Sequence, residues 1–379
     1  MNETPNRSDH ADRELDTVVI GGGQAGLAIG FHLARQGRDF AILDAHERIG
    51  DAWRRRWDSL RLYTPAKVNG LPGLVFPGDP LAFPTKDEQA DYLEAYAAGF
   101  DLPVLTGVRV DRLAHDGDRF VVAAGPRRFV ARNVVLATGG HQRPRIPDFA
   151  GELAPNVRQL HSEEYRNPAQ LRPGPVLVVG LGNSGAEIAL EVSRTHPTIA
   201  AGRPPGEIPF RHGRAFARFG VPVVRFVGMH VLSLGSPIGR RVLPKLAGLG
   251  TPLIRTKVAD LAAAGVEHVE RVTEVRDGLP VTADGRALEV ANAIWCTGYR
   301  DDLGWVDLPA FDADGRLRQW RGIVEAVAGL YVIGHEFQYA EASATLPGVG
   351  RDAAYLARHM RAPRQRATAA VAGTAAVAR

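Results

Sequence analysis

Apolar positions along this chain gather in short unbroken runs, several of them followed by a glycine-containing turn and then by a helical stretch. Residues 18–20 form one such run. After it come Gly21-x-Gly23-x-x-Gly26, then Leu27, Ile29, Phe31 and Leu33, and then a second apolar run, 40–43, that closes on Asp44. A short continuous apolar run is a strand covered on both faces, and a Gly-x-Gly-x-x-Gly turn after such a run opens a helix, to which Leu27, Ile29, Phe31 and Leu33 belong, so 18–44 predicts strand, turn, helix and strand. The same order returns at VLVVGLGNSGAEIALEV, 176–192, with Gly180-x-Gly182-x-x-Gly185. Two more runs end in Thr138-Gly139 and Thr297-Gly298, and a last one, ending at Gly334, precedes a helical pattern that fades near residue 360. Strands alternating with helices predict an α/β protein, here two Rossmann-like dinucleotide-binding domains with the second inserted into the first. The expected boundaries are 15–169 with 291–361 for the outer domain and 170–290 for the inserted one. The ends, 1–14 and 362–379, are expected to be disordered, and 204–258 offers no clear period.

The glycine spacing has a chemical reading in each unit. Gly21 permits a tight turn, Gly23 lets a pyrophosphate approach the backbone, and Gly26 lets helix and strand pack closely. Gly180, Gly182 and Gly185 repeat those roles, while Gln24 and Ala25, and Asn183 and Ser184, open the helices whose free amides face an anion. Asp44 lies 23 residues after Gly21, and Arg203 lies 23 residues after Gly180. A carboxylate at the end of the second strand accepts from a free ribose, whereas a guanidinium there matches a 2′-phosphate. The expectation is FAD on the first unit, with NAD as the alternative, and NADPH on the second. The alternative for Arg203 is an ordinary surface arginine.

Composition narrows the function. The 379 residues, 45% hydrophobic, suffice for a large core in one or two domains. Net charge is +4, but only four of the 46 basic residues are Lys and the Arg are scattered, so no nucleic-acid-binding block is expected. A single cysteine, Cys296, excludes an internal disulfide and a dithiol redox pair, and the twelve His show no zinc spacing. The uncharged stretch 17–34 carries five glycines and changes period midway, which fits a buried strand–turn–helix, and 226–239 is too short to span a bilayer. No leader pattern opens the chain. A cytoplasmic protein without a transmembrane segment is expected, its oligomeric state open.

These residues together resemble the flavin-containing monooxygenases, the class B flavoprotein monooxygenases, and within them the YUCCA-type enzymes and their bacterial relatives. The resemblance runs from about residue 15 to 360 through an ordered set. That set is GGGQAG, GDAWRRRWDSLRLYTP (50–65), FPTKDEQADYLEAYA (83–97), LATGGHQRPRIP, GLGNSGAE and WCTGY. It implies FAD reduced by NADPH, and a C4a-(hydro)peroxyflavin that inserts one atom of molecular oxygen into a small organic substrate. Oxidative decarboxylation of a 2-oxo acid, S- or N-oxidation and Baeyer–Villiger insertion all draw on that chemistry. It also implies that Trp53, Arg54, Leu60 and Val110 border the flavin or its adenine. The family signature is present in part, as Phe149, Gly151, His161 and Tyr165 with a longer gap, and His161 with Tyr165 reads best as a contact on one helix face. Tyr63 stands where many animal-type relatives carry Asn, so the amide those relatives present is not carried over; the resemblance names no catalytic residue here, and Tyr63 and His161 are the candidates. Two other readings stay open: an NADPH-dependent reductase of a quinone-like acceptor, and a non-catalytic redox or nucleotide sensor that docks through the apolar stretch 221–238.

Overall fold

A computed structural model describes residues 13–246 and 250–361. The chain opens with β1 (Arg13–Ile20), α1 (Gln24–Arg35) and β2 (Phe40–Leu43), followed by α2 (Asp51–Arg54), α3 (Lys86–Gly99) and β3 (Val104–Leu105). β4 (Arg112–Asp116), β5 (Arg119–Ala124) and β6 (Arg127–Leu136) make an antiparallel meander. Next come β7 (Arg143–Pro144), β8 (Arg158–His161), β9 (Val176–Val179), α4 (Asn183–Val192) and β10 (Thr198–Ala201). A helical excursion with α5 (Val221–Phe226) and α6 (Pro237–Leu246) leads to α7 (Val258–Ala263), β11 (Glu267–Val269), β12 (Val272–Arg276) and β13 (Leu279–Thr282). The chain ends with β14 (Asn292–Trp295), β15 (Tyr299–Arg300), β16 (Leu330–Val332) and α8 (Leu346–His359).

Two sheets carry this α/β fold. The first has the order β3-β2-β1-β6-β5-β4, with β16 also paired to β6; the second, wholly parallel, runs β11-β10-β9-β14-β8. Covering explains the residue patterns. Every residue of β2 and of β9 is buried, because both faces of a parallel sheet are packed, whereas β5 alternates, burying Phe120, Val122 and Ala124. Helix α1 lies between the first sheet and α8, with Leu27, Ile29 and Leu33 in a core shared with Val349 and Leu356. Helix α4 buries Ala186, Ile188, Ala189 and Val192 against Val176, Val178 and Ile294.

Three expectations change. Arg13 and Glu14 belong to β1 rather than to a disordered end; the rest of 1–14, and all of 362–379, lie outside the described residues. Strands β8 and β14 lie outside the expected 170–290 yet complete the second sheet, which therefore draws on residues on either side of that span. Long-range pairing decides such a boundary, and no local pattern records it. The stretch without a clear period, 204–258, contains helix, but widened π-type turns at Phe216–Gly220 and Val227–Val231 flank α5 and blur the 3.6-residue repeat.

Candidate functional site

The two glycine loops are built alike. In the first, Ile20 pairs with Leu136, so Gly21 runs beside Ala137; in the second, Val179 pairs with Trp295 and Gly180 runs beside Cys296. Gly21 and Gly180 have φ of 112° and 100°, and a Cβ on either would strike the carbonyl oxygen of Ala137 or Cys296. A Cβ on Gly26 or Gly185 would strike the carbonyl of Gly21 or Gly180. The fold therefore requires the outer glycines. The middle ones are different. Gly23 and Gly182 have extended backbones, φ −76° and −75°, and a Cβ on either would meet nothing within 4 Å. Open space at the head of each helix, where the first-turn amides lack helical partners, fits a pyrophosphate approaching the backbone.

Around the first loop, Asp44 accepts from the Gly22 N–H at 2.7 Å and from the His46 N–H at 2.8 Å, and its other contact is the His46 ring at 2.9 Å. Burial pushes its carboxyl up, but the His46 ring and the two backbone donors outweigh that and hold it below the ordinary carboxylate range. Gly334 sits against Ala25, and the next residue, His335, has a buried Nε2 with no hydrogen-bond partner among the described residues. Such an atom is unusual in a folded chain unless a ligand or water completes it. Trp53 donates to Gln24 Oε1 at 3.4 Å, which brings α2 to the start of α1. Val110 packs into the core beneath β2. The Arg54 guanidinium, expected near the flavin, is held by Asp51, Asp91 and Glu94.

Beside the second loop lies a cleft of about 600 Å³ lined by Gly180, Leu181, Arg203, Arg271, Arg145 and Thr297, among others. Arg203 follows β10 and Arg271 follows β11, so the parallel neighbours deliver two guanidinium groups to one sheet edge. Neither has a carboxylate partner among the described residues, and both are exposed. Arg271 escaped sequence reasoning, because its neighbour in space lies 68 residues away with no pattern to join them. Asn183 is committed to structure by its side chain, which accepts from Ile254 N at 2.8 Å and donates to Pro252 O at 3.0 Å. Ser184 is half-buried in the first turn of α4.

The segment after α2 stitches the two units. Leu60 touches both the core under α1 and the core around α4, and Trp57 is buried in the latter. Arg255 donates to Leu62 O at 2.7 Å and pairs with Glu187 of α4 at 3.0 Å. Its guanidinium also lies 5.1 Å from the Tyr63 ring, and His212 Nε2 is 2.9 Å from the Tyr63 carbonyl. Burial, then the facing Glu187, pushes the Tyr63 phenol well above its ordinary range, so it stays protonated at neutral pH and can donate but not act as a base. Glu187 is likewise raised by burial, with Arg255 opposing.

Where the chain crosses between sheets, β7 and β15 pair, with Tyr299 opposite Pro144. The two Thr-Gly turns lie at these crossings. Gln142 donates to Thr138 Oγ1 and Gly139 O at 2.9 and 2.7 Å, and Thr297 donates to Arg145 O. Gly298 O and His161 Nε2 are 3.1 Å apart, which makes Nε2 the protonated nitrogen, and Nδ1 accepts from Glu163 N at 3.2 Å. His161 is thus the last residue of β8 with both ring nitrogens occupied, and Tyr165, in the following turn, donates to Glu191 at 2.8 Å. The helix-face reading of this pair is overturned, since a four-residue spacing alone cannot tell a helix from a strand end followed by a turn. Burial pushes the Cys296 thiol up to about 12, which leaves it unreactive. Among the described residues no group of His, Cys, Asp and Glu could hold a metal.

His141 meets the Tyr299 ring edge-on at 4.7 Å, as His161 does at 5.0 Å. Burial, then the charge of Arg56, lowers His141 from 6.5 to about 4. The folded state refuses a proton that the unfolded chain accepts. The residue keeps an exposed edge, so water screens part of the effect. Stability is therefore intact above pH 6.5 and falls as pH drops towards 4. In urea unfolding at pH 7 and pH 5, the wild type should lose more than His141→Gln, by up to about 1 kcal/mol. Equal losses would show that the ring is not held neutral.

The chain thus carries two glycine loops of one build, each between a parallel strand and a helix, and the comparisons with known proteins are with flavoprotein oxidoreductases. Residues 18–204 match the pyridine nucleotide-disulphide oxidoreductase family. The chain is 38% identical over 346 residues to the uncharacterized oxidoreductase CzcO-like of Geobacillus kaustophilus, covering 90% of this chain and 97% of that one. It is 27% identical over 358 residues to the probable indole-3-pyruvate monooxygenase YUCCA3 of Arabidopsis thaliana, covering 84% and 81%. Among solved structures, the flavin-containing monooxygenase from Stenotrophomonas maltophilia superposes with a TM-score of 0.74 at 31% identity, over 92% of this chain and 98% of that one. The chain belongs to the flavin-containing monooxygenase-like family, and it is an enzyme, a flavin-dependent oxidoreductase of the monooxygenase type.

Proposed function

We propose that the chain is an NADPH-dependent FAD monooxygenase that transfers one oxygen atom to a small organic substrate. FAD and NADPH are its cofactors, each on a Rossmann-like unit, the second unit inserted into the first. The observation that supports this reading best is the pair of middle glycines: Gly23 and Gly182 are the loop positions where the fold leaves room, so their lack of a side chain serves a ligand. Gly21, Gly26, Gln24, Ala25 and Asp44 hold FAD; Gly180, Gly185, Asn183, Ser184 and Arg203 hold NADPH, with Arg271 beside Arg203. FAD, when bound, accepts hydride from NADPH and activates dioxygen.

The chain's own part is to bind, orient and exclude water. Trp53, Leu60 and the half-buried Tyr63–Glu187–Arg255 cluster close the ground between the two loops, and a dry site protects a reactive cofactor from water. A protonated Tyr63 supplies a donor there and removes no proton. No nucleophilic side chain is required, because the cofactor carries the difficult chemistry.

The test is NADPH turnover under isotopically labelled dioxygen with indole-3-pyruvate, a thioether and a cyclic ketone as probes. One labelled atom should enter the product of at least one probe. Full turnover with a quinone in the absence of oxygen, and no label in any product, would make the enzyme a reductase instead.

A further inference from the structure

Beyond Arg203 the second unit makes an excursion on its way to α7, most of which dinucleotide binding leaves without a role. From 208 to 259 the chain has no Asp or Glu, while the same residues carry seven Arg and two Lys. The whole protein is only +4, so this segment holds more positive charge than the protein's total. Its helices also turn apolar side chains into water. Phe219 is 69% exposed, Val223 62%, Phe226 60% and Ile238 56%. Five consecutive residues, 222–226, are exposed, which happens only where a helical turn stands clear of the body on all sides. Arg218, Arg225, Arg240, Arg241 and Lys245 are exposed around them. Within the segment only Arg214 and Arg255 pair with carboxylates, Asp79 and Glu187, among the described residues.

The inner side of this ridge is anchored. Arg351 donates to Met229 O at 2.6 Å, Leu234 N donates to Tyr339 O at 2.8 Å, and Gly228 is pressed against Glu341. The outward face is therefore a fixed surface that presents phenylalanine and branched aliphatic side chains ringed by arginine. Large exposed apolar patches on soluble proteins mark contact surfaces, and the charge says with what.

We propose that the ridge seats the enzyme on an anionic bilayer surface. Phe219, Val223, Phe226 and Ile238 enter the boundary of headgroups and acyl chains, while Arg218, Arg225, Arg240 and Arg241 lie at the level of the lipid phosphates. This is docking without spanning: among the described residues no helix is long and apolar enough to cross a membrane. A second copy of the chain fits the surface poorly. A two-fold contact through this patch would set one arginine cluster against another with no acid between them.

Flotation of the full-length flavoenzyme tests this with vesicles of phosphatidylcholine alone and of phosphatidylcholine mixed with phosphatidylglycerol. The wild type should bind the mixed vesicles, bind the neutral ones weakly, and lose affinity as salt is raised. Phe219→Ser/Phe226→Ser and Arg225→Glu/Arg241→Glu should each weaken binding at least about tenfold, with flavin content and NADPH oxidation unchanged. Wild-type protein that ignores phosphatidylglycerol would overturn the proposal. So would both double variants binding as wild type does, which would assign the binding to some other part of the chain. A third overturning result is sedimentation velocity in which the variants split a dimer while vesicle affinity stays the same.

Discussion

Gly23→Val should fold and purify without its flavin. The backbone there is extended, with φ −76° and ψ −170°, a conformation any residue adopts, and the added Cβ meets nothing within 4 Å. The fold is asked only for a poorer helix cap, a cost of about 1 kcal/mol. Beyond the Cβ, however, the branches occupy the space through which a pyrophosphate approaches the amides. Gly26→Val is the contrast, since its Cβ would collide with the Gly21 carbonyl and the helix could not pack on β1. That variant should be destabilised by several kcal/mol, or fail to fold. Flavin absorbance per mole after gel filtration, with thermal unfolding of the flavin-free forms, separates the two effects. Full flavin content in Gly23→Val would show that the open space serves something else.

Arg203→Ala should weaken NADPH and spare NADH. The guanidinium stands on the edge of a cleft beside Gly180, free of carboxylates among the described residues, so its charge is available to a 2′-phosphate. One lost charge-assisted contact costs about 1.5–3 kcal/mol, or roughly tenfold to hundredfold in KM for NADPH. NADH lacks that phosphate and should change little, so the preference collapses. Arg203→Asp should go further, repelling NADPH while offering NADH an acceptor for its hydroxyls. Arg271→Ala should fall in the same direction as Arg203→Ala, because the cleft brings both groups together. Steady-state flavin reduction by each cofactor is the measurement, and a wild type that already prefers NADH, or equal weakening of both cofactors, would remove the assignment.

Much of the site was legible in the chain because its signals are local. A tight turn, an approach to the backbone and a close helix packing each demand glycine within six residues, and 18–44 and 176–192 carry those demands in order. The acid after β2 and the base after β10 are equally local, each sitting at a fixed remove from its loop. The spacing already separates the three glycines by role, and the geometry adds the contacts: a Cβ on Gly21 or Gly26 would strike a backbone carbonyl, while one on Gly23 would meet nothing within 4 Å. Arg54, which the resemblance puts near the flavin, has its charge taken up by Asp51, Asp91 and Glu94, two of them 37 and 40 residues away, and no local pattern records those partners.

The residues alone therefore determined the α/β class of fold, the two glycine loops and the sign of the charge that follows β2 and β10, since each is written in a short run, a turn of fixed length or a single side chain. Tertiary structure decided what depends on partners far apart in the chain. It assigned β8 and β14 to the second sheet, placed Arg271 beside Arg203, and put His161 at a strand end under Tyr299. It also turned Phe219, Val223 and Phe226 outward from a helix whose widened turns hide its period. An apolar side chain carries no mark of which way it will face. Its direction is settled by what the rest of the chain leaves to cover it, and that depends on the packing of the whole molecule.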